Sequence, residues 1–258
     1  MKRSAATLGQ VHYATSRNAW LGYPGYVQDM IIRSGARHVL ELGGGANPAI
    51  PLEFLREHGV EYTVLDISPT ELAKAPAGYH KVCGDIGAAE LAFEGIEGRH
   101  DLVFSKMLAE HVKNGEQMHR NVFRLLAPGG KAIHYFPTLY APPFVANRLM
   151  PERVADRLLQ WLEPGREKDG NKGKFPAYYS WCRGPTHRQF ARLQGLGYVV
   201  DEYIGFFGHH AYYRRIPGMR NLHRWFSSWL VEHPFPTLTS ACYVVLSKPV
   251  ETITMIKA

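Results

Sequence analysis

The sequence is poor in cysteine and has no long hydrophobic run. Its three cysteines, Cys83, Cys182 and Cys242, are odd in number and far apart, which argues against a disulfide framework and a cysteine-based zinc site. This usage favours a reducing compartment, so we expect a cytoplasmic protein. No stretch of about 18 uncharged apolar residues occurs, so no transmembrane helix is predicted. The basic N-terminus is not followed by the apolar segment of a secretory signal.

Metal-binding and dinucleotide-binding patterns are also missing. The 13 histidines include no H-E-x-x-H pair and no acidic triad has metal-ligand spacing, so we predict no metal site. A dinucleotide-binding loop reads G-x-G-x-x-G, whereas here Gly43 and Gly45 are followed by Ala46, Asn47 and Pro48. The missing third glycine argues against an NAD-dependent oxidoreductase or epimerase, as does the lack of a Tyr-x-x-x-Lys pair after the fourth predicted strand.

The net charge of +7 lies in the C-terminal half of the chain. Residues 1–136 contain 14 Lys or Arg and 14 Asp or Glu, whereas residues 137–258 contain 16 and 9. The basic half suits an anionic acceptor or surface, although the same charge also serves solubility. Nucleic acid is not favoured as a partner, because acids are interleaved with the basic residues and the first 35 residues contain no known RNA-binding module.

Residues 38–48 (HVLELGGGANP) organise the chain, since an apolar strand ends there in three glycines and a helix follows at about 49–58. Glycine permits positive φ angles and has no Cβ, so this turn lets the backbone approach a nucleotide cofactor closely. Strands are predicted at 38–42, 61–66, 79–83, 101–105, 131–136, 198–204 and 241–247. Their alternation with helices predicts an α/β, Rossmann-like fold: a seven-stranded, mostly parallel sheet with helices on both faces and an inserted cap.

The chain divides into four parts. Residues 1–35 are predicted to be an N-terminal lid or helical segment, and residues 36–136 the cofactor-binding core. Residues 137–184, rich in proline and aromatic residues, are interpreted as the cap, with one helix at about 151–162. Residues 185–258 complete the sheet and contain a second basic, aromatic insertion at about 206–237.

Five segments occur in an order that is typical of one family. They are Glu41-Leu-Gly-Gly-Gly45, Leu65-Asp66, Gly84-Asp85-Ile86, Asp101-Leu-Val-Phe-Ser105 and Leu125-Leu-Ala-Pro-Gly-Gly130. The chain therefore resembles the class I methyltransferases that use S-adenosylmethionine (SAM), over residues 36–136 and more loosely over 186–247. Its departures are the triple glycine and Asn47-Pro48, where another glycine is often found. The resemblance implies a methyltransferase with SAM as cofactor.

The resemblance also implies roles for the residues around the first strand. Gly43 and Gly45, with Gly44 between them, would line the methionine and ribose parts of SAM. Glu41 would hold this loop or approach the methionine ammonium group.

Further cofactor contacts are implied at the ends of the next three strands. Asp66, followed by Ile67, would accept hydrogen bonds from the ribose hydroxyls, since one carboxylate can accept from both. Asp85 would accept from the adenine amine while Ile86 packs on the ring. Ser105 would lie near the sulfonium.

Histidines are the candidate general bases. SAM is already activated, so the protein mainly aligns the nucleophile, but a weakly acidic hydroxyl also needs a base. His111 follows the fourth predicted strand, which in the family passes close to the transferred methyl. His209 and His210 follow the sixth strand, where many small-molecule members contact the acceptor. Each of the three has a purely structural alternative, and His134, inside the fifth strand, is interpreted as structural.

We expect a small-molecule or glycan acceptor, methylated at oxygen. Nitrogen and carbon acceptors stay open, as does a non-catalytic SAM-binding scaffold. The predicted helix at 218–231 has an apolar side formed by Leu222, Trp225, Phe226, Trp229 and Leu230. We interpret this side as packing on the enzyme body or a dimer partner, and the alternative is membrane-surface contact for a lipid-linked acceptor. The sequence predicts no oligomeric state.

Overall fold

The computed structural model describes residues 10–90, 97–139, 176–208 and 218–250. The strands in these ranges are β1 (Gln10–Thr15), β2 (His38–Leu42), β3 (Glu61–Asp66), β4 (His80–Cys83), β5 (His100–Lys106), β6 (Leu126–Pro137), β7 (Val199–Phe207) and β8 (Ala241–Ser247). The helices are α1 (Ala19–Ser34), α2 (Leu52–Glu57), α3 (Pro69–Lys74), α4 (Gly115–Leu125), α5 (His187–Gly195) and α6 (Met219–Glu232). Short 3-10 turns lie at Ser16–Asn18, Ala109–His111 and Pro236–Leu238.

All the described strands form one sheet in the order β1-β7-β8-β6-β5-β2-β3-β4. Only β8 among them runs against its neighbours, β6 and β7. The predicted α/β class with a mostly parallel sheet is therefore confirmed. Because the parallel strands share one direction, their carboxyl ends meet at one edge, where ligands bind in sheets of this kind.

Helices cover both faces of the sheet, as predicted. On one face α1, α2 and α3 bury Tyr23, Val27, Leu55 and Leu72 against the strands. On the other face α4 and α5 bury a second set, Met118, Val122, Leu125, Phe190 and Leu193. The helices α4 and α5 each begin at a polar N-cap, Asn114 and Thr186, whose side chains accept a backbone N–H of the first turn. The sheet thus lies between two apolar layers.

The sheet has eight described strands rather than the seven predicted. The extra strand is β1, which pairs in parallel with β7 at the sheet edge. Residues 1–35 are predicted to be a lid or helical segment; α1 supplies a helix, but Gln10–Thr15 belongs to the sheet instead. The strand is short and partly exposed, with Tyr13 stacked on Phe207 at 5.5 Å between ring centroids. An edge strand of this kind carries little hydrophobic pattern to predict it from.

The helix α6 confirms the predicted helix at 218–231 but not its packing. Leu230 is the buried member of the apolar side, and its other four members are exposed: Leu222, Trp225, Phe226 and Trp229. Within the described residues, the interpretation that this side packs on the enzyme body is therefore wrong for these four. Packing against a dimer partner stays a prediction.

Some predictions fall outside the described residues. These are the helix at about 151–162, most of the cap at 137–184, and residues 209–217 of the second insertion. No helix in the four described ranges is both long and apolar enough to cross a bilayer.

Candidate active site

A cleft of about 810 Å³ opens at the carboxyl edge of the sheet. Gly43, Asp66 and Asp85 line it from the ends of β2, β3 and β4. The loop after β5 contributes His111, and Tyr178 enters from the last part of the predicted cap. The structure therefore brings residues from five separate parts of the chain to one cavity. Its volume lies within the range of small-molecule sites, about 300–1,000 Å³.

The glycine loop after β2 is packed too tightly for larger residues. Gly43 and Gly45 have φ angles of +76° and +46°, which side chains rarely adopt. A Cβ on Gly43 would lie 2.9 Å from Leu108 Cδ1, and one on Gly45 would lie 3.1 Å from Asp66 Oδ2. The Gly43 N–H donates to the Leu65 carbonyl at 2.7 Å, which ties the loop to β3. The loop therefore meets the cleft with bare backbone.

The carboxyl group of Glu41 lies against this loop and is buried. Its two oxygens accept the Ala49 N–H at 3.1 and 3.0 Å, and Oε2 also accepts the Tyr62 hydroxyl at 2.6 Å. A Cβ on Gly44 would lie only 2.8 Å from that carboxyl group. Burial raises the pKa of Glu41 to about 7, against the hydrogen bonds from Tyr62 and Ala49, which lower it. This geometry fits the first of the two predicted roles, holding the loop.

Asp66 and Asp85 are both oriented by backbone hydrogen bonds. Asp66 Oδ1 accepts the Ser68 N–H at 2.9 Å, and Asp85 Oδ1 accepts the Gly87 N–H at 2.7 Å. In each aspartate the bond to Oδ1 fixes the side-chain rotamer, and Oδ2 is not used in that bond. Both carboxylates can therefore accept ligand hydroxyl or amine donors without moving.

Two isoleucines line the same part of the cleft. Ile67 follows Asp66 and lines the cleft. It is 67% exposed, a large exposed fraction for an isoleucine. Ile86 follows Asp85 and is almost fully buried, so it presents only a small apolar surface to the cavity. Together they provide apolar contacts for a flat ring beside the two acids.

Four predicted cofactor residues do not line the cleft: Glu41, Gly44 and Gly45, which belong to the glycine loop or support it, and Ser105. Ser105 is completely buried, and its hydroxyl lies 2.8 Å from His134 Nδ1. The strand β5 continues to Lys106, so Ser105 is still inside the sheet rather than beyond its end. Burial lowers the pKa of His134 well below its ordinary value, which keeps this ring neutral and agrees with its interpretation as a structural residue.

His111 lies in the 3-10 turn after β5 and lines the cleft. Its Nδ1 is 2.8 Å from the Pro176 carbonyl oxygen. A carbonyl can only accept, so Nδ1 carries the proton and Nε2 is the basic nitrogen of the neutral ring. Nε2 lies 3.7 Å from Glu110 Oε1. The other two candidate bases, His209 and His210, lie outside the described residues.

Glu110 lies next to His111 and was not predicted from the sequence to belong to the site. It is buried, and its Oε2 has no hydrogen-bond partner among the described residues. Burial raises the pKa of Glu110 to about 8. In the sequence it is an ordinary acid in a loop, and only its burial distinguishes it.

The site fits SAM, the cofactor that the sequence predicts. Gly43 lines the cavity without a side chain, and two oriented carboxylates line the same cavity, which also offers apolar surface. Hydroxyl and amine donors on a flat, partly apolar ligand match these groups. Among the described residues, no three His, Cys, Asp or Glu side chains come together as a metal site requires.

Comparison with known proteins agrees with this geometry. A family model described as "Methyltransferase domain" matches residues 40–134. A curated relative named ubiquinone biosynthesis O-methyltransferase, from Coxiella burnetii, is 29% identical over an alignment that covers 54% of this chain and 67% of that protein.

Solved structures agree at the level of the fold. A SAM-dependent methyltransferase from Archaeoglobus fulgidus has a TM-score of 0.50 at 14% identity, and the match covers 90% of this chain and 97% of that one. The cyclase SpnF has a TM-score of 0.53 at 14% identity, with 95% and 88% covered. At such identities the likeness shows the fold alone, and it does not decide the reaction.

Proposed function

We propose that this chain, whose residues 40–134 match a methyltransferase domain, uses SAM to methylate a hydroxyl oxygen of a small-molecule or glycan acceptor. The observation that carries this proposal is the cleft itself. It combines a glycine loop, two oriented carboxylates and a histidine with a defined basic nitrogen.

The cofactor would be held mainly by the ends of β2, β3 and β4. We assign the ribose hydroxyls to Asp66 and the adenine amine to Asp85, because each carboxylate has one oxygen that is not used for its own backbone turn. Ile67 and Ile86 supply apolar contact to the adenosyl part. The backbone at Gly43 and Gly45 meets the methionyl part, and Glu41 keeps that backbone in place.

Bound SAM supplies a methyl group that its sulfonium has already activated. The protein then has to exclude water, align the acceptor and take up the acceptor's proton. We assign the proton to His111 Nε2, since the Pro176 carbonyl fixes the proton of the neutral ring on Nδ1. The Glu110 carboxyl group lies nearby, with Oε1 3.7 Å from His111 Nε2.

Oxygen is preferred as the methylated atom for two reasons. A hydroxyl acceptor needs a base, and the cleft offers one in His111. The curated relative from Coxiella burnetii is also named as an O-methyltransferase. A small acceptor suits a cleft of about 810 Å³ once a cofactor occupies part of it.

An acceptor screen tests the proposal. The purified protein would be incubated with SAM and panels of phenols, glycans and amines, with products followed by mass spectrometry. We expect a mass gain of one methylene on hydroxyl compounds, dependent on His111. Methylation of amines or carbon acids alone would contradict the assignment to oxygen. Binding of SAM without any methylated product would favour the scaffold alternative.

A lipid-linked acceptor is the second candidate, and the exposed side of α6 favours it. Trp225 is 64% exposed, and the rings of Phe226 and Trp229 stack at 5.9 Å without being buried. Exposed aromatic residues of this kind suit a membrane surface. Co-sedimentation with phospholipid vesicles, compared between the wild type and Trp225→Ser, tests this candidate. Equal recovery of both proteins with the vesicles would speak against α6 as the contact.

A further inference from the structure

One wall of the cleft comes from a segment far outside the matched domain. Residues 176–183 (PAYYSWCR), the aromatic wall, begin more than forty residues after the family match ends at 134. Pro176 and Tyr178 nevertheless line the cleft together with Asp85, Ile86 and Asn114. The cleft is therefore completed by a part of the chain that lies outside the residues matched by the methyltransferase-domain model.

Hydrogen bonds hold the aromatic wall against the loop after β5. The Glu110 carbonyl accepts the N–H groups of Tyr178 and Tyr179 at 2.7 and 3.1 Å. The Gly115 N–H donates to Ser180 Oγ at 3.0 Å, and a Cβ on Gly115 would come within 3.0 Å of the Ser180 backbone. So close an approach of two backbones, with His111 also bonded to Pro176, makes the wall a fixed part of the site.

The backbone of the aromatic wall is bent at Tyr179 and Trp181, and its rings have different surroundings. Tyr179 and Trp181 have φ angles of +51° and +63°, in the left-handed region that large side chains avoid. Such angles persist where the surrounding contacts determine them, and they occur preferentially at functional sites. Trp181 lies against His119 at 5.7 Å between ring centroids, whereas Tyr178 stays 47% exposed at the cleft.

We propose that Tyr178 is a cofactor-binding residue whose ring packs on the adenosyl part of SAM. Tyr178 lines the same cleft as Asp85 and Ile86, the two residues assigned to the adenine. A flat aromatic ring offers the surface that a purine prefers for stacking. The inference depends on the proposed use of SAM, and it adds a contact from outside the methyltransferase domain.

Calorimetric titration of the full chain tests this without knowledge of the acceptor. SAM, S-adenosylhomocysteine and adenosine would be titrated into the wild type, Tyr178→Ala and Tyr178→Phe. The control is Phe235→Ala, which removes a ring of similar exposure, 51%, that does not line the cleft. Circular dichroism would establish that each variant is folded.

We expect Tyr178→Ala to raise the Kd of all three ligands at least about fivefold, as loss of a base–aromatic stack does. Tyr178→Phe and Phe235→Ala should stay within about twofold of the wild type, because each keeps the ring that matters. Unchanged binding by a folded Tyr178→Ala would overturn the proposal. So would an effect on SAM alone, which would place the ring at the sulfonium, or an equal loss in Tyr178→Phe, which would assign the effect to the hydroxyl. If the wild type bound neither SAM nor S-adenosylhomocysteine, the proposed function itself would fail.

Discussion

Replacing Glu41 by glutamine removes a buried carboxyl group whose ionisation opposes folding. Glu41 is 3% exposed, and its carboxyl group accepts hydrogen bonds from Ala49 and Tyr62, which glutamine can partly keep. Burial raises its pKa from 4.5 to about 7 in the folded chain. Glutamine has nearly the same shape and no charge, so it isolates the effect of ionisation.

The magnitude follows from the two pKa values. Below pH 4.5 the group is protonated in both the folded and the unfolded chain and contributes no pH dependence. Between 4.5 and about 7 the unfolded chain ionises first, so the free energy of unfolding falls as the pH rises. At about 1.4 kcal/mol per pKa unit, the loss is about 3 kcal/mol once the pH exceeds the folded pKa. Glu41→Gln cannot ionise at this position, so its free energy of unfolding does not fall for this reason.

Urea unfolding, followed by circular dichroism between pH 4.5 and about 8, measures it. The difference in unfolding free energy, wild type minus Glu41→Gln, should fall by about 3 kcal/mol across this range. Glu116→Gln is the control, since Glu116 is an exposed acid that pairs with Arg120. A difference that stays flat or rises with pH would refute the account, because it would mean that the folded chain accepts the Glu41 charge readily.

Three further predictions concern the cleft. Gly44→Ala should lower the free energy of unfolding by about 1–3 kcal/mol, because its Cβ would lie 2.8 Å from Glu41 and Val64. Gly25→Ala is the control, since a Cβ there has open space and should not destabilise the protein. Asp66→Ala should weaken SAM binding by about 1–3 kcal/mol in calorimetry, and unchanged affinity in a folded variant would remove the ribose assignment. His111→Asn keeps a donor for the Pro176 carbonyl, so SAM affinity should be retained while turnover of the acceptor found by screening falls about 10²-fold or more. Full turnover by that variant would place the base elsewhere.

The core of the fold could be predicted because its strands are buried on both faces. Such strands are nearly continuous apolar runs, and each ends in glycine or a polar residue at the carboxyl edge. The strands His38–Leu42, Glu61–Asp66 and Ala241–Ser247 have the predicted bounds. Gly43, Asp66 and Asp85 reach the cleft because the same pattern also fixes where these strands end.

Other features depend on tertiary contacts that leave no periodic pattern. The prediction places Ser105 at the end of its strand, but β5 continues one residue further to Lys106, and the Ser105 hydroxyl is buried against His134. Hydrogen bonds to His111 and Glu110 help to hold Pro176 and Tyr178 at the cleft. No spacing in the sequence encodes those bonds.

The exposed side of α6 illustrates a different limit. Helical periodicity predicted the helix and its apolar side correctly. It could not tell which residues face the sheet, because apolar residues extend over more of the helix than the sheet can cover. Leu230 packs on the body while Trp225 remains exposed.

Parallel calorimetric titrations with SAM, S-adenosylhomocysteine and NAD would test the central claim most directly. The account predicts micromolar binding of the first two and none of NAD, because the glycine loop lacks the third glycine of a pyrophosphate site. Binding of NAD alone would contradict it, and the loop between β2 and α2 would then have to be interpreted as a dinucleotide site.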